Sequence, residues 1–364
     1  MVFDYLIVGA GLFGCVCANE LTSRGYSCLV IDKNPFVGGT CYTKVMDDIV
    51  VHMYGAHIFR TNDVAIWNYI NKFATFNNFV NSPMAVYKDE IYNLPFNMNT
   101  FSKLWGIKTP AEAKAIIAKE IKESGIKEIN NLEDWAISQV GTTIYKKLIK
   151  GYTEKQWGYD CKDLPKEIMR RIPVRFIYDN NYYNCRYQGI PVGGYTPLLT
   201  AMLSKAKVVL SADYLKDRAN WNSKANKIIF TGPIDEFYDY NFGELEYRGL
   251  RFETEKLDIP NYQGNAVINY TEKEVPYTRI IEHKHFEFGE QPWTIISREY
   301  PCSWKRGSYP FYPVNNDKNQ TIFLKYKELS KTEKKVLFGG RLGSYQYFDM
   351  QDTIAAAMKF CQVL

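Results

Sequence analysis

Three closely spaced glycines near the start of this chain, Gly9, Gly11 and Gly14, carry the clearest chemical signal in its sequence. They follow a run that predicts a β-strand and open a run that predicts a helix, and Asp32 ends the next predicted strand. In such a unit the first glycine allows the tight turn, the second admits a pyrophosphate, and the third lets the helix pack on the sheet. An acid about 20 residues further on accepts hydrogen bonds from ribose hydroxyls. The sequence therefore predicts a dinucleotide-binding unit.

A second glycine pair, Gly38-Gly39, indicates which dinucleotide is held. A glycine pair just past the acidic residue resembles the flavoprotein variant of this fold, in which it lies near the pyrophosphate of FAD. Lys33 follows the acid, and Thr40 follows the glycine pair. The chain has no second Gly-x-Gly-x-x-Gly motif after a second strand, so no nicotinamide site is expected. A flavin here must receive electrons from an external donor or take part in no net redox reaction.

Three polar-aromatic segments outside this motif together offer arginines beside tyrosines and a tryptophan. They comprise residues 151–158, residues 170–176 with 179–183, and residues 275–279. Guanidinium groups bind phosphate oxygens in a bidentate manner, and aromatic faces stack on a nucleobase. Together the segments predict a site for a nucleoside diphosphate. For any one arginine taken alone, a surface ion pair is the alternative.

The composition excludes several classes of function. The chain has 45 lysines and arginines against 40 aspartates and glutamates, and its net charge of +5 is scattered, which predicts no nucleic-acid binding. We expect no membrane span and no secretory leader, and the eight cysteines show no Cys-x-x-Cys pattern. These features predict a cytoplasmic protein with reduced thiols. His283 and His285 lack a third ligand, so no metal site is predicted.

The order of predicted elements indicates an α/β protein. A final apolar strand, residues 336–338, runs into Gly339-Gly340 and a last helix, which brings a second helix N-terminus to the cofactor. We predict an FAD-binding doubly wound (Rossmann-like) domain that is discontinuous, with a helical insert and an antiparallel β-sheet domain. The predicted boundaries are residues 1–78, 196–245 and 312–364 for the FAD-binding domain, 99–170 for the helical domain, and 79–98, 171–195 and 246–311 for the antiparallel-sheet substrate domain.

Capping residues and glycines delimit helices of the predicted insert. Thr109-Pro110-Ala111-Glu112 is a capping box with proline at the first helical position, and it predicts a helix that ends at Gly125. Gly141 and Gly151 are each predicted to end a further short helix.

Longer motifs, spread over residues 3–360, resemble the bacterial UDP-galactopyranose mutase family. The segments that carry the resemblance are residues 54–59, 93–97, 151–158, 171–175, 188–196, 276–286, 340–342 and 347–350. The resemblance implies an isomerase that interconverts UDP-galactopyranose and UDP-galactofuranose without net redox change, through a covalent adduct between the sugar and N5 of a reduced flavin. It also implies a UDP-sugar substrate, an external electron donor that reduces the FAD, a homodimer, and a product used in cell-surface polysaccharide biosynthesis.

The resemblance implies roles for individual residues in three groups. Catalytic roles are implied for Arg171 and Arg279 on the pyrophosphate, for His57 beside the flavin, and for Arg60 near the sugar. Substrate contacts are implied for Asn81, Tyr152, Thr153, Trp157, Tyr182, Asn269, Tyr312, Tyr347 and Asp349. Cofactor contacts are implied for Gly9, Gly11, Phe13, Gly14, Asp32, Lys33, Gly38, Gly39, Thr40, His57, Ile58, Tyr214, Leu215, Arg248, Gly340, Arg341, Phe348, Asp349, Met350 and Thr353.

Two positions depart from the family pattern. Where the family commonly has His-Ile-Phe-His-Thr, the fourth residue here is Arg60, and Thr40 stands where asparagine is frequent. Arginine is longer, permanently charged and carries five donors, so it can hydrogen-bond the carbonyl of a 2-acetamido group. We hypothesise that UDP-N-acetylgalactopyranose is an additional or preferred substrate, with a tolerated substitution on a polar rim as the alternative. The change to Thr40 is expected to affect FAD binding little.

Two other functions share parts of this pattern. An FAD-dependent amine oxidase-like oxidoreductase has the same N-terminal motif and C-terminal glycine–helix return, but it needs no arginine pair for a diphosphate. A non-catalytic nucleotide-sugar sensor would bind UDP tightly without turnover. Arg341 and the segment 347–349, expected beside the flavin, argue against the sensor.

Overall fold

The computed structural model describes residues 2–169 and 172–364 of the chain. In chain order, its strands are β1 (Phe3–Val8), β2 (Cys28–Ile31), β3 (Thr43–Met46), β4 (Ile49–His52), β5 (Phe59–Thr61), β6 (Met84–Tyr87), β7 (Glu90–Asn93), β8 (Tyr187–Gly189), β9 (Lys207–Val209), β10 (Ala225–Phe230), β11 (Tyr247–Leu257), β12 (Val267–Tyr270), β13 (Arg279–Glu282), β14 (Thr294–Ser303), β15 (Tyr312–Pro313) and β16 (Val336–Phe338). Its α-helices are α1 (Leu12–Ser23), α2 (Val64–Ile70), α3 (Met98–Trp105), α4 (Pro110–Glu123), α5 (Leu132–Ile144), α6 (Gly151–Trp157), α7 (Tyr195–Met202), α8 (Arg218–Ser223), α9 (Ile234–Phe237), α10 (Asp317–Ser330), α11 (Gly340–Gly343) and α12 (Met350–Gln362). A π-helical stretch, Tyr145–Lys150, joins α5 to α6.

The described residues form two compact units. The first unit contains residues 2–78, Cys185–Gly249 and Trp304–Leu364, and the second contains Phe79–Asn184 and Leu250–Ser303. Each unit therefore combines stretches that are distant in the sequence. The predicted division into three domains stays a prediction.

A parallel sheet forms the centre of the first unit. Its strand order is β16-β10-β1-β2-β9, and each neighbouring pair is parallel. Leu6 and Ile7 of β1 are fully buried on opposite faces of the sheet, in two separate apolar clusters. Burial on both faces explains why these strands have continuous apolar sequences. Because all five strands point the same way, their carboxyl ends lie at one edge, where sheets of this class bind ligands.

The second unit contains a sheet with the order β11-β14-β13-β12-β6-β7, to which β11 contributes residues 250–257. The pairs β13–β14, β12–β13 and β6–β7 are antiparallel, and the pair β6–β12 is parallel. The helices α3 to α6 pack around a separate apolar core that includes Phe101, Leu132 and Ile144. A parallel Rossmann-like sheet, a helical region and a largely antiparallel sheet confirm the predicted α/β class.

The helix signals are confirmed at one site and wrong at another. Thr109 and Glu112 form the predicted capping box at the start of α4. Gly151, predicted to end a helix, instead begins α6. A Cβ on Gly151 would lie 2.4 Å from the carbonyl oxygen of Thr271, so this glycine permits close backbone packing. Among the helices of the described ranges, none combines the length and apolar character needed to cross a membrane.

Candidate active site

The predicted glycine motif lies where β1 ends and α1 begins, at the carboxyl edge of the parallel sheet. Gly9 has a φ of +113°, and a Cβ on it would lie 2.1 Å from Thr231 Oγ1. A Cβ on Gly14 would lie 2.0 Å from the carbonyl oxygen of Gly9. Helix α1 can therefore pack this closely on the turn only because residue 14 has no side chain. Gly11 is the N-cap residue of α1, and no described side chain caps this helix end. The N–H groups of such a helix end suit a phosphate.

The second glycine pair lies directly against this first turn. The N–H of Gly38 donates to the carbonyl oxygen of Ala10 at 2.9 Å, and Gly38 forms a parallel bridge with Gly11. A Cβ on Gly39 would lie 3.2 Å from Gly11 Cα. Thr40 follows in a short 3-10 turn. The two glycine segments thus form one cradle lined by backbone, which fits a dinucleotide pyrophosphate.

Asp32 is buried beside this cradle, with 7% of its surface exposed. Its Oδ2 accepts a hydrogen bond from the Ala10 N–H at 2.7 Å, and its Oδ1 accepts one from the Asn34 N–H at 2.8 Å. These contacts hold the carboxylate where the motif predicts a ribose contact. The next residue, Lys33, is exposed.

The C-terminal strand, β16, returns the chain to the same cradle. Phe13 of α1 packs against the turn after this strand: a Cβ on Gly339 would lie 2.6 Å from Phe13 Cζ. Gly340 has a φ of +76°, and a Cβ there would lie 3.3 Å from Phe13 Cγ. The predicted cofactor residues Phe13 and Gly340 are therefore in contact, although they are far apart in the sequence.

Arg341 lies just after this turn. Its Nη2 donates to the carbonyl oxygen of Phe311 at 2.5 Å, and its guanidinium carbon lies 5.0 Å from the centre of the Tyr347 ring. The Tyr347 ring lies 5.8 Å from that of Tyr312, which pairs with Arg248 between β15 and β11. The structure thus brings together four predicted site residues: Arg341, Tyr347, Tyr312 and Arg248. Tyr347 is 52% exposed, so its hydroxyl-bearing ring is accessible to a ligand.

Asp349 is the N-cap residue of α12. Its Oδ1 accepts a hydrogen bond from the Asp352 N–H at 2.9 Å, and Thr353 Oγ1 donates to its backbone carbonyl at 2.7 Å. Its Oδ2 lies 3.1 Å from Nη2 of Arg60, a contact that the sequence analysis missed. Burial raises the pKa of Asp349, while the Asp352 N–H and the charge of Arg60 act in the opposite direction. The flanking residues, Phe348 and Met350, are half-buried.

His57 lies in the turn before β5. Its Nδ1 is 2.7 Å from the carbonyl oxygen of Gly55, and its backbone N–H donates to His52 Nδ1 at 3.2 Å. Because a carbonyl oxygen only accepts, Nδ1 of His57 carries the proton in this contact. The neighbouring Ile58 is buried. These contacts fix the orientation of the His57 ring.

Tyr214 and Leu215 follow β9. The Tyr214 ring stacks on Phe237, with centroids 6.3 Å apart, and its hydroxyl donates to Asn222 Oδ1 at 2.8 Å. The Leu215 N–H donates to Asp213 Oδ1 at 3.0 Å. The predicted contact of this turn with an adenine stays a prediction.

In the second unit, Arg279 is oriented by Glu299. The two residues are directly opposite each other on β13 and β14, and Nε and Nη2 of Arg279 each lie 2.8 Å from Glu299 Oε2. Glu299 is only 1% exposed, so its charge requires this partner. Asn269 lies opposite Arg279 on β12, and its buried Oδ1 accepts no hydrogen bond within the described residues. Glu299 was not predicted from the sequence, where its one signal is a carboxylate within a largely apolar strand.

Helix α6 carries the aromatic residues of the predicted uridine site. Burial raises the pKa of Tyr152 to about 12, and the positive charge of Arg279 opposes this rise. Thr153 is 3% exposed. Trp157 is partly buried and packs against the helical core of this unit. Lys155, on the same helix, donates to three backbone carbonyls and was assigned no role from the sequence.

The segment that contains Tyr182 is shaped by Arg175. The Tyr182 N–H donates to the carbonyl oxygen of Asn81 at 2.8 Å. Arg175 Nη2 donates to the Tyr182 carbonyl at 3.3 Å, and its Nη1 lies 2.9 Å from Asp179 Oδ2. Arg175 therefore organises this loop. Arg171, the other predicted pyrophosphate ligand, lies outside the described residues.

Comparisons with known proteins agree with both units. Residues 147–347 match the family described as UDP-galactopyranose mutase, and residues 7–73 match the family described as an NAD(P)-binding Rossmann-like domain. The "Probable UDP-galactopyranose mutase" of Klebsiella pneumoniae is 38% identical over 98% of this chain and 93% of its own length. The dTDP-fucopyranose mutase of Escherichia coli is 35% identical over 98% of this chain and 97% of its own length.

A solved structure supports the fold. The crystal structure of a reduced UDP-galactopyranose mutase superposes with a TM-score of 0.77 at 14% identity, over 99% of this chain and 95% of the other. The curated relatives match over nearly the whole chain, so the oxidase and sensor alternatives are not favoured. The chain is an isomerase that belongs to the UDP-galactopyranose mutase family.

Proposed function

We propose that this protein interconverts UDP-galactopyranose and UDP-galactofuranose. The observation that carries the proposal is the placement of Arg279, which the buried Glu299 holds through Nε and Nη2. A guanidinium fixed in this way can bind a pyrophosphate and stabilise the charge that develops on a UDP leaving group. Asn269 adds a buried acceptor on the same face of the sheet. Membership of the mutase family supports the assignment of the reaction.

We propose FAD, in its reduced form, as the cofactor of the first unit. The backbone cradle of Gly11 and Gly39, the uncapped end of α1 and the carboxylate of Asp32 fit a dinucleotide. When bound, the reduced flavin would supply N5 as the nucleophile that displaces UDP from the anomeric carbon, and it would be regenerated at the end of the cycle. The reductant is proposed to be an external electron donor, and the active species a cytoplasmic homodimer.

Residues of each unit are proposed to have separate tasks. In the second unit, Tyr152 and Thr153 would hold the uracil, and Trp157 would border the sugar. The remaining proposed substrate residues there are Asn81 and Tyr182, and Arg171, outside the described residues, is proposed to bind the pyrophosphate. In the first unit, Tyr312 and Tyr347 would donate to phosphate oxygens, and His57 would orient the reacting face of the cofactor. Arg341 and the N-terminus of α12 would bind its ribityl and phosphate groups.

Activity on UDP-N-acetylgalactopyranose is proposed from Arg60. Its Nη2 contacts Asp349, but a guanidinium carries five donors, so the same side chain can also donate to an acetamido carbonyl. Arg60 is 33% exposed, which leaves its side chain within reach of a ligand. A relative named for a dTDP-linked sugar belongs to the same set of similar proteins, so the test must compare sugars and nucleotides.

The test is product analysis by chromatography with the purified, FAD-loaded enzyme. UDP-galactopyranose, UDP-N-acetylgalactopyranose and dTDP-fucopyranose are incubated with it, with and without dithionite. Conversion of the UDP-sugars to furanose forms only after reduction supports the proposal. No conversion of any substrate by fully reduced enzyme contradicts it, and preferred conversion of the dTDP-sugar would reassign the substrate.

A further inference from the structure

Lys155 donates three hydrogen bonds to backbone carbonyls within the second unit. Its Nζ donates to the carbonyl oxygens of Tyr270 at 2.7 Å, Tyr277 at 2.8 Å and Val275 at 3.0 Å. A lysine ammonium has three N–H donors, so these three carbonyls use all of them. A fully committed ammonium is a fixed structural link and not a general surface charge.

The three carbonyls belong to one connection, the loop that joins β12 to β13. Tyr270 is the last residue of β12, and Tyr277 precedes the start of β13 by two positions. Asn269 and Arg279, the two substrate candidates on these strands, lie directly opposite each other at the mouth of this loop. The ammonium therefore ties together both ends of the connection that presents Arg279.

Helix α6 approaches the same loop at a second point. Gly151 and Lys155 are four residues apart, so they lie on one face of this helix. A Cβ on Gly151 would lie 2.4 Å from the Thr271 carbonyl oxygen and 2.9 Å from the Lys273 nitrogen. The face that bears Gly151 and Lys155 is thus clamped onto the loop. Tyr152 follows Gly151 on this helix, and the charge of Arg279 acts on its hydroxyl.

The electrostatic surroundings of Lys155 agree with this clamp. Burial lowers the pKa of Lys155 to about 8, and the negative charges of Glu272 and Glu274 oppose that change. Both carboxylates lie in the connection that the ammonium holds. Protonated Lys155 thus remains the principal form at neutral pH and keeps its three donors.

We propose that Lys155 is a positioning residue for UDP binding, whose ammonium locks helix α6 to the β12–β13 loop and so sets the distance between Tyr152 and Arg279. The inference rests on the proposed function, because it assigns the diphosphate and uracil contacts to those two residues. It adds a residue that touches neither substrate nor cofactor.

Lys284 offers a matched control in the same unit. Its Nζ also donates to three carbonyls, those of Pro260 at 2.8 Å, Gln291 at 2.5 Å and Trp293 at 3.2 Å. It lies beyond the opposite end of β13 from Arg279. Removal of either ammonium takes away three hydrogen bonds to backbone carbonyls, so we expect the two variants to lose comparable local stability.

The experiment compares wild type, Lys155→Met and Lys284→Met as FAD-loaded enzymes. UDP binding is measured by calorimetry, steady-state kinetics are measured with UDP-galactopyranose, and folding is followed by thermal unfolding. For Lys155→Met we expect the Kd for UDP and the KM to rise about tenfold, with kcat per folded enzyme changed less than threefold. For Lys284→Met we expect a similar loss of thermal stability and an unchanged Kd and KM.

The outcomes separate this inference from the proposed function. Failure of wild type to bind UDP overturns the proposed function itself. A wild type that binds UDP, together with a Lys155→Met variant of equal Kd and KM, overturns only the role of Lys155. Equal effects of the two variants on Kd also overturn it, because the loss would then reflect general destabilisation. If methionine at 155 prevents folding, Lys155→Gln, which retains two N–H donors, is subjected to the same measurements and judged by the same criteria.

Discussion

Arg60 and Asp349 form an ion pair in which Nη2 lies 3.1 Å from Oδ2, and the same carboxylate caps helix α12 through the Asp352 N–H. The contact links the strand that carries the unusual arginine to a helix end predicted to face the cofactor. Both side chains are partly exposed, so the pair contributes only about 0–1 kcal/mol to folding. The ion pair matters more for orientation, because the contact at Nη2 holds the guanidinium of Arg60 in one position.

The first prediction concerns Arg60→His, which restores the residue common in the family. Histidine is shorter and cannot both pair with Asp349 and reach an acetamido carbonyl. We expect the ratio of kcat/KM for UDP-N-acetylgalactopyranose over UDP-galactopyranose to fall about tenfold, which corresponds to about 1.4 kcal/mol, or one strong hydrogen bond. Steady-state kinetics of the reduced enzyme with each of the two UDP-sugars measure this ratio.

Asp349→Asn shows whether this effect acts through the ion pair. Asparagine keeps an oxygen that can cap α12 but removes the charge that orients Arg60. A smaller shift of the substrate ratio in the same direction is expected. An unchanged ratio in Arg60→His would refute the specificity hypothesis, and the arginine would then be a tolerated substitution on a polar rim.

The second prediction separates cofactor binding from folding at Gly11. Its backbone is extended, with φ of −78° and ψ of 179°, and the nearest atom to an added Cβ is Gly39 Cα at 3.9 Å. Gly11→Ala should therefore fold normally, yet its methyl group would occupy the space proposed for the pyrophosphate. We expect the variant to lose at least about tenfold in FAD affinity, or about 1.4 kcal/mol.

Visible absorption of the purified variant and titration with FAD measure this loss, and circular dichroism measures its folding. Gly125→Ala, just after α4, is the control for general destabilisation: a Cβ there meets no atom within 4 Å, but the φ of +70° strains an alanine, so this variant should lose some stability and keep its FAD. A folded Gly11→Ala protein that retains a full complement of FAD would show that the pyrophosphate lies elsewhere.

The sequence was sufficient to predict the elements around the cradle, because their signals are local. Gly9, Gly14 and Asp32 occupy the turn and strand end that their spacing indicates. The return of β16 to Phe13 was also predictable, since strand–glycine–helix units in such a sheet converge on one edge.

Contacts between distant residues could not be read from these local patterns. Gly151 resembled a helix end, but it is a glycine because the Thr271 backbone lies against it. The acceptors of Lys155 are more than a hundred residues away in the sequence, and no spacing rule connects them. Glu299 is similar: its role depends on the register of β13 against β14, which the sequence does not specify.

The third prediction is a pH dependence of stability due to His283. This histidine is 1% exposed, with Nε2 2.7 Å from Ser297 Oγ, and burial lowers its pKa from 6.5 to about 3, against the opposing charge of Glu282. The folded protein therefore keeps His283 neutral in a pH range where the unfolded chain binds a proton. The contribution of neutral His283 to the free energy of unfolding is fully present above about pH 6.5, and it falls as the pH decreases toward 3.

Urea unfolding of wild type and His283→Gln at pH 7 and about pH 5 isolates this contribution. Each pH unit below 6.5 lowers the free energy of unfolding of wild type by about 1.4 kcal/mol through His283. Between pH 7 and about pH 5, wild type should therefore lose about 2 kcal/mol more of this free energy than the variant. Other titrating groups are common to both proteins and cancel in the comparison. Equal losses in the two proteins would show that His283 titrates normally in the folded state.

The fourth prediction distinguishes the charge of Arg279 from its geometry. Arg279→Lys keeps a cation beside Glu299, which is 1% exposed, but an ammonium cannot bind the carboxylate and a pyrophosphate with two parallel hydrogen bonds. We expect kcat/KM to fall about 100-fold, or about 3 kcal/mol, with modest loss of stability. Arg279→Met removes the partner of a buried carboxylate and should also destabilise the fold by about 3–5 kcal/mol.

Kinetics and urea unfolding of both variants test this separation, and Arg298→Lys serves as the control. Arg298 is a neighbouring arginine on β14 that pairs with Glu255 and has no proposed contact with substrate. Its replacement should leave kcat/KM unchanged. Wild-type kcat/KM in Arg279→Lys would mean that Arg279 does not bind the pyrophosphate, and its pairing with Glu299 would then be purely structural.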